Sequence, residues 1–444
     1  MQKSIDSAFD TNLINELARQ SGFLQRASKL KPAEFIDMLM FSELDHSELS
    51  LQDCCNDLAQ QHQTSLSKVG LHKRFNERTL RFLKLVFAAQ MSMKLGAVQG
   101  RNWQPFSRVL IGDSSKFVLP KQFIDDYPGY GSFGKGSSLM NIQYAFDIKN
   151  GDWETLELTK ATQNDQSHSK KILDNIKPNE LHIRDLGFVT KPYLARIVEQ
   201  KAFFLNRMNL QYAFVECSTG KQTDFTKLYR RMKRNKKTCF ETMITLKTDK
   251  KAFDCRMIAV PVPEDVYTER MRKAQQRAKS HGKNLTDEYK ARCRFSIYIT
   301  NTGQEMLKAV DITELYRLRW QIELIFKTWK SVLDINKVKA VKKDRLECLL
   351  FIKFIWILLN WKIFHTIDAF IKKTTPAYSC SHWKFFKLAS YYGHSLRKVV
   401  NGMLSFMEWC QMFIFPTIKN LLIDDRKEKK SAYQIVNDVF NPLG

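Results

Sequence analysis

The first hundred residues place apolar side chains three and four apart, as in Phe35, Met38 and Leu39 and again in Leu80, Leu83 and Phe87, with few Gly or Pro between them. That spacing predicts helices throughout. Within the region, Ser50 to Asn76 reads as a helix, a polar break near Gln63 to Ser65, and a second helix bearing Lys68, His72, Lys73 and Arg74. The pattern suits a helix-turn-helix laid on DNA, and equally any small helical bundle.

After Trp103 and Pro105 the period shortens to two. Arg108 to Ile111 is an apolar run closed by Gly112 and Asp113, and Leu139 to Ile148 alternates as a strand. Asn150-Gly151 is a two-residue hairpin signal, and Trp153 to Thr159 alternates again. A helical stretch from Ser167 to Ile176 leads to Leu181 to Ile183, an apolar segment ended by Arg184 and Asp185. A helix from Pro192 to Glu199 and a strand from Ala202 to Leu205 complete a mixed α/β order: three strands, helix, strand, helix, strand.

Beyond it, β-like runs (Gln211 to Val215, Cys239 to Lys247, Met257 to Val262, Phe295 to Thr300) alternate with two basic blocks. Lys221 to Lys237 holds eight Lys and Arg against one Asp, and Arg270 to Arg294 holds nine against Asp287 and Glu288, a density that argues against core positions. From Lys330 onward the chain returns to helices with apolar and aromatic faces, through Trp361, Trp383 and Trp409.

Tyr316 to Lys330 is the most informative stretch. Taken as one α-helix, it groups Tyr316, Arg319, Glu323 and Lys330 within about 60° of one another, beside an apolar arc of Leu318, Ile322, Ile325, Phe326 and Trp329. One face packs, and the next presents a carboxylate among cations, with Lys327 close by.

Composition narrows the partners. The chain has 444 residues, 44% of them hydrophobic, enough for two or three domains with real cores. Its 71 Lys and Arg against 46 Asp and Glu leave a formal charge of +25, and the cations recur along the whole sequence among 12% aromatics, which favours nucleic acid over a membrane surface. Nine cysteines without a CxxC pair predict free thiols in a reducing compartment and exclude a structural zinc site of the usual spacing. The first ten residues lack the apolar core of a signal peptide. Leu349 to Ile367 is the most membrane-like stretch, but Lys353, Asn360 and Lys362 interrupt it, so a buried helix is expected.

Asp113 and Asp185 each close an apolar run, and strand ends are where α/β sheets display functional side chains. With Glu323 they make three carboxylates from separate elements, an oxygen donor set suited to two Mg²⁺ ions, with Mn²⁺ as a substitute. Arg319, Lys327 and Lys330 would then bind flanking phosphates. Gly129 to Gly136 matches G-x-G-x-x-G and nearly matches a P-loop ending in Lys135, but Gly136 follows that lysine, no strand precedes the segment, and a strand follows it. Nucleotide binding there is not expected.

The spacing Tyr316, Arg319, Glu323, Lys330 resembles the tyrosine-arginine-glutamate-lysine signature of the insertion sequence four family of bacterial DDE transposases, and Phe326 to Lys330 matches its tail closely. The resemblance extends through Asp113, Asp185, the segments Pro261 to Val266 and Tyr298 to Asn301, and covers roughly Arg101 to Val341. It implies an RNase H-like core, Mg²⁺-dependent strand cleavage and transfer, dimeric action on the paired ends of a mobile element, and a cytoplasmic, nucleoid-associated protein. It further implies that Asp113, Asp185 and Glu323 hold metal and that Tyr316, Arg319, Lys327 and Lys330 contact the transferred DNA end. Two departures stand out. Leu186-Gly187 follow Asp185 where better-known relatives carry Arg-Glu, and Phe295 stands where relatives use a tryptophan to stack a flipped base.

The resulting expectation is a helical DNA-binding domain over 1–100 and an RNase H-like core over 101–205 and 306–370. A β-rich insertion over 206–305 separates the two parts, and C-terminal helices over 371–444 pair protomers. The function expected is a transposase that binds terminal inverted repeats of double-stranded DNA, cuts at the element ends and joins the freed 3′-hydroxyls to target DNA. The alternative is a catalytically inactive DNA-binding regulator derived from such an enzyme.

Overall fold

Capping chemistry marks the ends of the N-terminal helices: α1 (Gln2–Ala8), α2 (Thr11–Ser21), α3 (Pro32–Phe41), α4 (Leu51–His62), α5 (Lys68–Arg74) and α6 (Glu77–Ser92). Ser50 accepts from the Asp53 amide while the Asp53 carboxylate accepts from the Ser50 amide, and Gln63 closes α4 in the left-handed region at φ 54°. Ser67 caps α5, and Asn76 caps α6 by accepting from the amides of Arg78 and Thr79. The helix, break and helix expected over Ser50 to Asn76 are therefore present as elements. The computed structural model describes residues 2–42, 50–93, 105–130, 136–163, 171, 173–208, 212–248, 251–282, 284–375 and 378–423. Of the helix expected over Ser167 to Ile176, residues 167–170 and 172 lie outside these residues and Leu173–Asn175 form a 3-10 turn; Trp103, Lys135 and Gln211 lie outside as well.

The strands are β1 (Arg108–Leu119), β2 (Ser138–Asp147), β3 (Trp153–Lys160), β4 (Glu180–Arg184), β5 (Phe203–Arg207), β6 (Val215–Glu216), β7 (Phe240–Lys247), β8 (Ala252–Pro261) and β9 (Phe295–Thr300). They form one nine-stranded sheet in the order β3-β2-β1-β4-β5-β9-β8-β7-β6. β1, β2 and β3 are an antiparallel meander, and β4 and β5 lie parallel to β1, with α7 (Lys191–Glu199) connecting those two. This is the arrangement expected of an RNase H-like sheet. The insertion does not build a separate sheet, because β9 pairs with β5 at Leu205 and Thr300 and carries β8, β7 and β6 outward.

The basic blocks fold as α8 (Phe225–Arg234), α9 (Glu264–Ser280) and α10 (Asp287–Cys293). The expectation that they stay out of the core needs correction. α8 buries Phe225, Leu228 and Met232, and the Arg292 guanidinium is itself buried over the rings of Phe214 and Phe225. The flat face of a guanidinium packs on an aromatic ring, so an arginine can enter a core that would reject a lysine.

The remaining helices are α11 (Ala309–Arg317), α12 (Trp320–Ser331), α13 (Lys343–Thr374), α14 (His382–Tyr391), α15 (Gly393–Val400) and α16 (Phe406–Trp409). α13, 32 residues long, is buried along most of its length against α3, α6 and the meander. The β2–β3 hairpin docks on it through the Asn150-Gly151 turn. The Gly151 carbonyl accepts from Trp361 Nε1 at 2.7 Å, φ there is +76°, and a Cβ would meet the His365 ring at 2.6 Å. Lys353 and Lys362 are buried but donate to the carbonyls of Asp334 and Gln90 at 2.9 and 2.7 Å. The apolar stretch is thus core, and no helix among the described residues is long and apolar enough to cross a membrane.

Two contacts fix the segment that carries Glu323. Buried Trp329 on α12 packs against Tyr144, Trp153 and Phe354 with ring centroids 4.9, 5.4 and 6.0 Å away. Upstream, buried Arg256 of β8 donates to the carbonyls of Thr302, Gly303 and Leu307 at 2.9 to 3.0 Å, holding the chain that leads into α11.

The C-terminal helices pack back on the N-terminal ones. Arg397 of α15 is bidentate to Asp57 at 2.7 Å, also binds Asp37, and Asp37 accepts from His62 and Asn401. Breaking a buried pair leaves an uncompensated charge. Arg397→Ala is therefore expected to lower the free energy of unfolding by about 3–5 kcal/mol in urea titrations; a loss under about 1 kcal/mol would show that this junction does not hold the two ends together.

Candidate active site

β1 and β4 run in parallel register from Arg108 opposite Glu180 to Gly112 opposite Arg184. Asp113 and Asp185 are the next residues on each strand, so they emerge side by side. Asp185 follows the last residue of β4, as expected. Asp113 does not end its strand: β1 continues to Leu119, paired only with β2, and this corrects the reading of a four-residue run. The apolar pattern stops because the β4 side of the sheet stops there, not because the strand does. Gly112 is required by close approach. A Cβ would meet the Arg184 guanidinium carbon at 2.9 Å, and that buried guanidinium lies over the rings of Phe188 and Tyr193.

The stretch from Tyr316 to Lys330 is not one helix. α11 ends at Arg317 and α12 starts at Trp320, with Leu318 and Arg319 in a tightened turn whose amides bond three residues back, to Leu315 and Tyr316 at 3.0 and 3.1 Å. Three residues per turn bring side chains three apart into line. Tyr316 and Arg319 therefore both reach the sheet, Tyr316 buried edge-on to Tyr298 with its hydroxyl directed to the Arg184 carbonyl.

The three acids converge on one cation. Arg319 Nη1 donates to Asp113 at 3.1 Å, Nη2 donates to Glu323 at 2.5 Å, and Nε lies 3.8 Å from Asp185. The Asp113 carboxyl is pushed up to about 6 by burial, against the pull of the Ser114 amide and Arg319 and with the added push of Asp185 and Glu323. Burial opposes charge on Arg319, and Asp185 and Glu323 more than offset it, so its guanidinium is held above its ordinary value. Among the described residues no group of three or more His, Cys, Asp or Glu surrounds a common point at metal-ligand distance. The guanidinium fills that space, as a cation among oxygens that crowding makes poor neighbours for one another.

The other expected contacts separate. Lys330 turns along β1, donating to the Lys116 carbonyl at 2.8 Å, and burial lowers its amine. Lys327 is exposed and lies 5.5 Å over the ring of Trp383 on α14. Phe295 must be corrected: its ring is fully buried against Phe225 and Tyr229 in the insertion core, where apolar neighbours on β9 and α8 hold it, and no face is open to a base. Two residues escaped the sequence reading. Trp320, directly after Arg319, is 55% exposed. Arg184 was marked only as a strand end, although a charge closing the apolar run from Leu181 to Ile183 hinted at a buried guanidinium.

Residues 104–359 match the family described as transposase DDE domain. The chain is 28% identical over 363 residues to the transposase for insertion sequence element IS231F of Bacillus thuringiensis subsp. israelensis, covering 78% of this chain and 76% of that one. To the transposase for IS1151 of Clostridium perfringens it is 26% identical over 455 residues, covering 98% and 95%. To the transposase for IS421 of Escherichia coli the identity is 24% over 362 residues, covering 80% and 89%.

Gly112→Ala is expected to lower stability by about 1–3 kcal/mol, the usual scale for forcing an extra methyl into a packed site. The Arg184 guanidinium is buried over the Phe188 and Tyr193 rings and would have to shift against them. A change under about 0.5 kcal/mol in denaturant titrations would mean that the guanidinium yields freely.

Proposed function

The chain belongs to the transposase DDE domain family, and from that premise we propose that it binds the terminal inverted repeats of an insertion sequence, cuts at their junctions and transfers the 3′-hydroxyl ends to target DNA. It is a DNA-cleaving transposase, and divalent-metal chemistry is general to that domain. The finer assignments rest on the meeting of Asp113, Asp185 and Glu323 around one guanidinium. Acidic oxygens from three elements, one of them on a carboxyl raised by burial and by its neighbours, are a donor set that a divalent cation would relieve.

Those three residues would hold the metal. A pair of Mg²⁺ ions there would supply activation of the attacking water or 3′-hydroxyl and stabilisation of the leaving oxygen. Arg319 holds the carboxylates together until then and must turn outward to make room, which carries its planar fork toward the DNA phosphate. Lys327 and Lys330 receive the neighbouring phosphates as point charges, Lys330 after giving up the Lys116 carbonyl. Tyr316, buried beneath Arg319, sets the direction of the turn. The stacking role expected of Phe295 passes to Trp320, an exposed indole that follows Arg319 in the chain. The first hundred residues recognise the ends, α8 to α10 clamp DNA, and the C-terminal helices bring protomers together.

Asp113→Asn, Asp185→Asn and Glu323→Gln are each expected to reduce metal-dependent cleavage by about 10³-fold or more while leaving end binding intact; any one of them that still cuts is not a ligand. Arg319→Ala is expected to tighten Mn²⁺ binding by calorimetry about tenfold, or roughly 1.4 kcal/mol, while cleavage falls. Weaker Mn²⁺ binding would mean that Arg319 supports the site rather than occupying it. Affinity for end DNA should fall steeply with salt as phosphate contacts release counterions, and a flat response in binding titrations from low to physiological salt would count against the DNA role.

A further inference from the structure

Far from the acids, the N-terminal helices enclose a polar cavity of about 360 Å³ lined by Gly22, Phe23, Arg26, Ser28, Arg74 and Arg78 among others, with no carboxylate in its lining. Three guanidiniums thus face one cavity without a counter-charge. Arg74 is fixed: it donates to Ser28 Oγ at 2.5 Å and lies 5.7 Å over the Phe23 ring, which is stacked on Phe82. The side chains of Arg26 and Arg78 are exposed and make no hydrogen bond or ion pair among the described residues. Gly22, left-handed at φ +78° where α2 ends, lets the Arg78 stem pass within 3.6 Å of where a Cβ would stand. One held arginine and two more in the same lining make a receptor for an anion with several oxygens, since forked N–H groups meet phosphate oxygens in pairs.

We propose that this cavity is a phosphate-binding pocket that seats a backbone phosphate of the element-end duplex. The inference rests on the transposase reading and deepens it by naming where the helical domain grips DNA. The pocket lies at the C-terminal end of α5, the second helix of the helix, break and helix, whose Lys68, Val69 and Lys73 are exposed. A duplex lying along that side of α5 reaches Arg74 at its end. The contact is to the backbone, so it positions the duplex without reading its sequence.

The test uses the full chain, a duplex carrying the inverted repeat that flanks the coding region, and a duplex of scrambled sequence. Arg26→Ala/Arg78→Ala should weaken binding to both duplexes about tenfold or more at physiological salt. The slope of log affinity against log salt should become shallower by about one to two, the loss expected for one or two phosphate contacts. Thermal unfolding should be unchanged, because neither side chain has a partner to lose, and Arg78→Lys should recover part of the affinity. A variant that keeps the wild-type slope, with the wild type binding normally, overturns the pocket and leaves the transposase reading standing. A wild type that binds neither duplex overturns both. ATP alone is the control for a small anion: if it stabilises the wild type but not the double variant while the DNA slope is unchanged, the pocket serves a free phosphate compound and the DNA assignment is wrong.

Discussion

Three like charges gathered where β1 and β4 part repel one another, and the structure resolves this by placing a guanidinium among them. Arg319 touches Asp113 and Glu323 and stands beside Asp185. Everything else near the site serves that placement. The parallel pairing of β1 with β4 delivers two of the acids, and the tightened turn between α11 and α12 delivers the arginine and the third. A guanidinium is wide enough to span three carboxylates, and a single ammonium is not.

Such a cluster is useful only if its supports are stiffer than the repulsion inside it. Trp329 locks α12 to the aromatic face of the meander and α13, and Arg256 ties the approach to α11 to the insertion strand β8. The insertion is thereby coupled to the acid-bearing helix through backbone carbonyls. Because β9 pairs directly with β5, a force on the outer strands reaches the strands that carry the aspartates through the same sheet. The buried Arg397 junction joins the C-terminal helices to the N-terminal ones.

Much of this was legible in the amino-acid order. The meander, the position of Asp185 and the helix, break and helix around Gln63 follow from local periodicity and turn chemistry, and the structure has them; Asn150-Gly151 does lie in the β2–β3 connection, but that connection runs over 148–152 rather than two residues. Asp113 was found but misplaced as a strand end, because Ser114 to Lys116 look like a turn until β2 is there to pair with them. The break at Leu318 and Arg319 left no trace, since both residues favour helix and only tertiary contacts with Tyr298 and the acids tighten the turn. Phe295 was misjudged for a related reason: an aromatic residue on a strand is core or surface according to which helix covers it, and α8 covers this one. The three-arginine cavity leaves no local mark, because Arg74 meets Ser28 46 residues away.

On the proposed reading, divalent metal takes the space now filled by the Arg319 guanidinium. The most direct measurement is anomalous scattering from Mn²⁺ in crystals of the full chain with an end duplex. The expected result is Mn²⁺ peaks held by Asp113, Asp185 and Glu323, with Arg319 turned onto a DNA phosphate. Peaks elsewhere, with Arg319 still paired to all three carboxylates, would contradict it.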